Sequence, residues 1–247
     1  LSHPQDAYIF GNLSNLYADP DGIAFFVRNL SKDYKGVPPA LQHLGTISFR
    51  GEISGYFTDL VTYGEVRTDI GTVKTDVKFS SDKEKGYFSY SGAVKTAEFE
   101  LGKLLANDKF GKVTFNMDVK GSHYAKRYPS VTMKGLVASI DYSDYTYENI
   151  TLDGEYKQGG FNGNVSFDDE NGAIQLNGSI NTAGKIPTFN FRADVDHFRP
   201  NTLHLTPKYK DTEISVKIKA DFTGSSINDM NGEINIDSLQ YTAPDQS

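Results

Sequence analysis

Residues 214–222 read Ile214-Ser215-Val216-Lys217-Ile218-Lys219-Ala220-Asp221-Phe222. Every second residue is apolar, and the residues between are polar or charged. A helix would scatter the apolar positions around its circumference, whereas an extended strand puts them all on one side. Such a strand belongs in an antiparallel sheet with one solvated face. The same alternation sets Val73-Thr75-Val77-Phe79 against Lys74-Asp76-Lys78. It also sets Val113-Phe115-Met117-Val119 against Lys112-Thr114-Asn116-Asp118-Lys120. Turn-forming clusters punctuate these runs: Asp19-Pro20-Asp21-Gly22, Asp82-Lys83-Glu84-Lys85-Gly86, Asp168-Asp169-Glu170-Asn171-Gly172 and Ala183-Gly184-Lys185. About fifteen strands of roughly 6–12 residues fit between the turns. The chain reads as all-β and antiparallel.

Two stretches depart from alternation. Pro38-Pro39-Ala40-Leu41-Gln42-His43-Leu44 and Phe99-Glu100-Leu101-Gly102-Lys103-Leu104-Leu105-Ala106 read as single helical turns or plugs, each just before a new strand. All 247 residues are read as one elongated β domain, a length at which all-β folds often remain undivided. About fifteen strands spaced ~4.8 Å apart would span about 70 Å. Open sheets of that extent curl or fold over, so strong curvature is expected.

Glycines recur inside the strands with apolar residues two positions to either side. Examples are Phe49-Gly51-Ile53, Tyr90-Gly92-Val94, Met133-Gly135-Val137, Leu152-Gly154-Tyr156, Phe161-Gly163-Val165, Leu176-Gly178-Ile180 and Met230-Gly232-Ile234. Each glycine is in phase with the greasy face. A mid-strand glycine costs about 0.5–1 kcal/mol relative to alanine, so the set together costs on the order of a domain's net stability. Two compensations are open: glycine lets the sheet bend sharply, or the missing side chains leave a channel along the apolar face. An open channel would accept leucine at Gly154 or Gly178 at little cost. A filled core would be overpacked by it.

Composition excludes several function classes. The formal net charge is −7, which lacks the basic footprint that phosphate backbones require, so no nucleic-acid partner is expected. There is no cysteine, hence no disulfide, thiolate chemistry or cysteine metal site. The longest apolar run, Ile23-Ala24-Phe25-Phe26-Val27, is far short of the ~20 residues of a membrane helix and reads as a strand. The chain begins at Leu1 and carries no leader, so a processed or internal piece of a longer protein is expected, with any membrane anchor outside it.

Catalytic motifs are wanting. His3, His43, His123, His197 and His204 form no H-x-x-x-H pair, and no G-x-S-x-G elbow surrounds a serine. Asp168, Asp169 and Glu170 lack the spaced ligands of a calcium loop and read as a solvated hairpin turn. Tyr142, Tyr145 and Tyr147 could stack on a sugar. With no tryptophan beside them, cross-strand packing is the simpler reading. No catalytic residue, metal or cofactor is assigned, and the chain is read as non-catalytic.

Three stretches carry a resemblance: residues 147–156 (Tyr147-Glu148-Asn149-Ile150-Thr151-Leu152-Asp153-Gly154-Glu155-Tyr156), residues 160–167 (Gly160-Phe161-Asn162-Gly163-Asn164-Val165-Ser166-Phe167) and residues 172–180 (Gly172-Ala173-Ile174-Gln175-Leu176-Asn177-Gly178-Ser179-Ile180). With Phe49-Arg50-Gly51-Glu52-Ile53-Ser54-Gly55 and Phe99-Glu100-Leu101-Gly102-Lys103-Leu104-Leu105, they resemble the AsmA-like superfamily, in particular its TamB branch, the inner-membrane component of the translocation and assembly module. The likeness covers most of residues 45–205 and rests on soft strand–glycine–strand motifs. It implies a long periplasmic antiparallel sheet folded lengthwise into a β-taco or half-pipe with an apolar interior. It further implies a tether to the inner membrane through a segment absent here, a phospholipid or other acyl-chain ligand, and an outer-membrane barrel partner reached through other parts of the full-length protein. The implied role is outer-membrane biogenesis, by lipid transport or by assisting barrel assembly. The chain is too short to cross a periplasm and would be an internal segment.

Candidate groove-lining residues are Phe49, Gly51, Ile53, Phe115, Met117, Met133, Gly135, Leu152, Gly154, Tyr156, Leu176, Gly178 and Ile180. The alternative is a structural or adhesive β-sandwich or solenoid that binds protein or glycan.

Overall fold

The computed structural model describes residues 7–19, 21–22, 24, 42–56, 58–82, 84–124, 130–226 and 228–243. Thirteen strands are present among them: β1 (Tyr8–Ala18), β2 (Ile47–Tyr56), β3 (Asp59–Thr68), β4 (Gly71–Asp82), β5 (Tyr87–Glu100), β6 (Phe110–Tyr124), β7 (Ser130–Tyr142), β8 (Tyr145–Lys157), β9 (Gly160–Asp169), β10 (Gly172–Asn181), β11 (Thr188–Phe198), β12 (Glu213–Thr223) and β13 (Asn231–Thr242). One short helix, α1 (Leu101–Leu105), follows β5. The strands form a single antiparallel sheet in sequential order, open at β1 and β13. The strand count is thirteen where alternation suggested about fifteen, and there is one sheet where a sandwich would need two. Of the run 23–27, only Ala24 is described. It is helical, not strand, in a turn that Gly22 N–H opens by donating to Asp19 Oδ1 at 2.8 Å. The helical turn expected at 38–44 falls mostly outside the described residues; His43 and Leu44 lie in a turn.

The strands cluster into two compact units, Leu1–Val131 and Thr132–Ser247. In the first, register aligns the alternation from strand to strand. Phe49, Val66, Val73, Thr96 and Phe115 stand in one row, and Leu13, Gly51, Gly64, Thr75, Val94 and Met117 in the next. On the other face Arg50, Glu65, Lys74, Lys95 and Asn116 line up. A slip of one residue would turn every apolar side chain to solvent, so the burial preference fixes the register. In the second unit Leu152, Val165, Leu176, Ala193, Ile218 and Ile236 form one apolar row. Gly154, Gly163, Gly178, Phe191, Ala220 and Ile234 form its neighbour.

Each unit keeps its tightest packing at one corner. In the first, Ile70, Phe99 and Val113 are buried beside α1; in the second, Phe167 and Leu203 are buried beneath the loop 199–212. Three further apolar side chains among the described residues, Val77, Ala220 and, in that loop, Pro200, reach the same burial.

Candidate apolar binding face

The two corners are built alike. In the first unit a bulge between Thr96 and Phe99 puts Glu98 at a φ of 51°, and its N–H donates to Thr114 Oγ1 at 3.1 Å. Phe99 then turns onto Gly71, and the Glu100 N–H donates to the Ile70 carbonyl at 2.9 Å. In the second unit a bulge between Val195 and Phe198 puts His197 at a φ of 38°, and its N–H donates to Ser215 Oγ at 3.0 Å. Phe198 turns onto Gly172, and the Arg199 N–H donates to the Asn171 carbonyl at 2.9 Å. A bulge adds a residue to one strand and kinks it, which is how each corner re-aims a phenylalanine and ends the ladder.

The covers differ. Over the first corner lies α1, whose Leu104 carbonyl accepts from His43 Nδ1 at 2.8 Å. Over the second, the loop folds back on the β7–β8 hairpin: Tyr147 Oη donates to the Leu203 carbonyl at 2.6 Å and His204 Nδ1 to the Ser143 carbonyl at 2.9 Å. Tyr145 and Tyr147 meet edge to face at 4.8 Å, and Tyr147 leans on Phe167 at 5.6 Å. Tyr142 of β7 also meets Tyr147 at 6.5 Å, so the cluster packs both along β8 and across it, under a cover. Tyr145 also donates to Asp169, and burial first, then that bond, pushes its hydroxyl up to about 12. Burial likewise raises Tyr147. Asp169 accepts the Asn171 N–H within the hairpin turn as well. Among the described residues no group of three His, Asp or Glu side chains could hold a metal.

Away from the corners nothing among the described residues covers the apolar face within its own unit. Phe49, Ile53, Phe115 and Met117 in the first unit are half-buried, as are Met133, Leu152, Leu176 and Ile180 in the second; Tyr156 is exposed. Gly51, Gly135 and Gly178 are half-buried and Gly154 is buried. The register places Phe49, Gly51, Ile53, Phe115 and Met117 on one face of the first unit, and Leu152, Gly154, Tyr156, Leu176, Gly178 and Ile180 on one face of the second. At the uncapped end of the second unit the face ends in an aromatic row: Tyr156, Phe161, Ile180, Phe189 and Phe222, the last two rings stacked at 4.7 Å.

The in-strand glycines do not leave an empty channel. Gly178 has a φ of 144°, which side-chain-bearing residues avoid, and a Cβ there would sit 2.2 Å from the Asn190 carbonyl oxygen on β11. That is a close approach of two backbones at a sharp bend. Over Gly154 lies the Phe161 ring, 2.5 Å from where a Cβ would be, and Phe49 covers Gly64 in the same way at 2.9 Å. Aromatic rings from neighbouring strands thus occupy the space that missing side chains vacate. A leucine at 178 therefore meets backbone strain whether or not the face is open, contrary to the low cost expected for an open channel.

The opposite face is polar and carries shallow recesses. One of about 660 Å³ in the first unit is bordered by Arg50, Glu65, Lys74 and Lys95. One of about 390 Å³ in the second is bordered by Asn164, Asn177, Arg192 and Lys217. Ion pairs such as Lys217–Asp194 (2.9 Å) and Lys134–Asp153 (2.8 Å) lie exposed on it, where each contributes about 0–1 kcal/mol.

Sequence reasoning located the face but missed the loop cover. Its only local mark is Leu203-His204-Leu205 between Pro200 and Pro207, too short a run to carry a period. No family model, no curated protein and no solved structure matches the chain.

Proposed function

We propose that this chain is a non-catalytic sheet segment of a bacterial cell envelope whose apolar face carries acyl chains, above all those of phospholipids. The single observation behind this reading is the apolar face: rows of Leu, Val, Ile and Phe, strand after strand, with no second layer over them among the described residues of either unit. A contiguous apolar face left half-exposed in this way marks a binding surface. A saturated acyl chain needs width and length without hydrogen-bond partners, which such a strip supplies.

The finer reading adds a sheet bent lengthwise along its glycine creases, a periplasmic setting with a tether to the inner membrane through a segment absent here, and an outer-membrane barrel as the downstream partner. The Gly178 crease and its aromatic-covered neighbours support the bending. The resemblance of residues 45–205 to the AsmA-like superfamily supports the setting and the role in outer-membrane biogenesis.

The test is organic extraction of purified protein followed by mass spectrometry, with capture of a labelled phospholipid from vesicles beside it. Recovered phospholipid that falls several-fold in Leu176→Asp, with the far-UV spectrum kept, is the expected result. Absence of lipid in both assays overturns the reading.

A further inference from the structure

We propose that the polar face of the second unit binds a linear acidic glycan along a track of adjoining recesses, with Arg192 taking a sugar carboxylate. The first sign is compositional. Asparagine is depleted in strands, where its short amide offers the backbone competing bonds. Yet Asn162 and Asn164 on β9, Asn177 on β10 and Asn190 on β11 stand mid-strand on this face, all exposed. A solvated face does not require them: β2, β3, β4 and β5 contain no asparagine.

These amides keep most of their bonding capacity. Asn177 Nδ2 donates to Asn164 Oδ1, which leaves the Asn164 amide hydrogens and Asn177 Oδ1 without a partner among the described residues. Asn162, Gln175 and Asn190 make no side-chain hydrogen bond there at all. An amide sets donors and an acceptor side by side, which matches neighbouring hydroxyls on a sugar ring.

Register and shape turn the amides into a line. Gln175, Asp194 and Lys217 stand in one cross-strand row, and Asn177, Arg192 and Lys219 in the next. The first row borders a recess of about 660 Å³ and the neighbouring one of about 390 Å³. The second row borders that same recess of about 390 Å³ and a further one of about 380 Å³. The recesses therefore follow one another along the strands. From Ala173 to Ser179 the strand rises ~20 Å. An open track of that length suits an extended polymer, whereas a small molecule is better held in an enclosed cleft. The two rows hold no aromatic ring for bases to stack on, and a net charge of −7 opposes nucleic acid.

Charge places the anionic group. Arg192 lies directly opposite Lys219, an arrangement that opposes strand pairing unless something compensates it. Lys217 reaches Asp194 at 2.9 Å and Lys219 reaches Asp237 at 3.5 Å, but Arg192 has no carboxylate within ion-pair reach among the described residues. Its planar fork is shaped for a carboxylate. Asp221 and Glu233, opposite each other at one end of the track, repel an anion there and centre it on Arg192. Lipid on the opposite face is not needed for any of this.

The test is native electrophoresis of the purified chain through gels containing polygalacturonate, with a neutral linear glucan and polyglutamate in parallel gels. The expected result is retardation by polygalacturonate alone. Arg192→Gln should weaken it roughly tenfold, through loss of a charge-assisted pair. Asn190→Val should weaken it several-fold while holding or raising the urea midpoint, because valine suits a strand better than asparagine. An asparagine that served only the fold would give the reverse, lost stability with binding kept. Absence of retardation overturns the proposal. So does equal retardation by polyglutamate or by the neutral glucan, or binding unchanged in Arg192→Gln.

Discussion

The corner at Gly71 and Phe99 and the corner at Gly172 and Phe198 share a bulge, a hydroxyl that accepts from the bulged N–H, a phenylalanine laid on a glycine and one main-chain hydrogen bond back to the preceding turn. They differ in what covers them. Helix α1 contributes no buried side chain, and the packing beneath it comes from Ile70, Phe99 and Val113 on the strand side. The loop 199–212 drives Leu203 to 0% exposure and buries Pro200 and Thr212 as well. Both covers make backbone bonds of their own, Asn107 N–H to the Gly102 carbonyl at the end of α1 and Leu203 N–H to the Arg199 carbonyl and Leu205 N–H to the Pro200 carbonyl in the loop, each at 3.0 Å; what separates them is the buried anchor, Leu203, which α1 lacks. The same corner can therefore be a finished core with a lid or an unfinished core that the loop completes.

Substitutions can break that distinction. The largest effect belongs to Leu203→Ala, which removes the one fully buried large side chain from beneath its loop and should cost about 2–5 kcal/mol in denaturant unfolding. Leu105→Ala on α1, where the side chain is exposed, should stay within about 0.5 kcal/mol. Equal losses in the two variants would show that α1 completes its core as the loop does.

A smaller contrast concerns the glycines. A Cβ at Gly71 would lie 2.7 Å from the Phe99 ring, and one at Gly172 would lie 2.8 Å from the Phe198 ring. The crowding is matched, but Gly71 has a φ of 140° and Gly172 has no such φ. Gly71→Ala should therefore destabilise more than Gly172→Ala, by about 1–3 kcal/mol of backbone strain. The two midpoints in urea decide it.

The subtlest effect is alkaline. Tyr145 holds its proton up to about 12, above the ordinary value near 10. Above pH ~10 the unfolded chain loses that proton while the folded one keeps it, so stability falls as pH rises from about 10 to about 12. Below that window the contribution is complete. Tyr145→Phe should flatten this part of the pH–stability curve; an unchanged slope would remove Tyr145 from the account. The first corner has no counterpart and serves as the reference.

Alternation made the strands and their faces legible, and Leu101–Leu105 was legible as a helical turn because its apolar residues break the period of two. One strand of the expected count was the run 23–27, whose described residue, Ala24, is helical. The repeat of the corner could not be read. It is carried by main-chain bonds that many residues can make, so Glu98 stands where His197 stands and Ile70 where Asn171 stands. Leu203 was hidden for a related reason: it packs by Gly172 and is held by Tyr147, both far away in the chain, and its own neighbours give no sign of it.

Each strand for which the pairing is described joins only its neighbours in sequence, hairpin after hairpin. Most loop closures during folding are then short, the longest among the described pairings being the 28 residues between β1 and β2 and the 14 between β11 and β12, and contact order stays low for an all-β chain. The sheet can zip from any hairpin, with each added strand stabilised mainly by the one before it, as in a repeat array. Folding should be faster than that of a sandwich of equal size, and damage to one strand should unravel its immediate neighbours before it is felt further along.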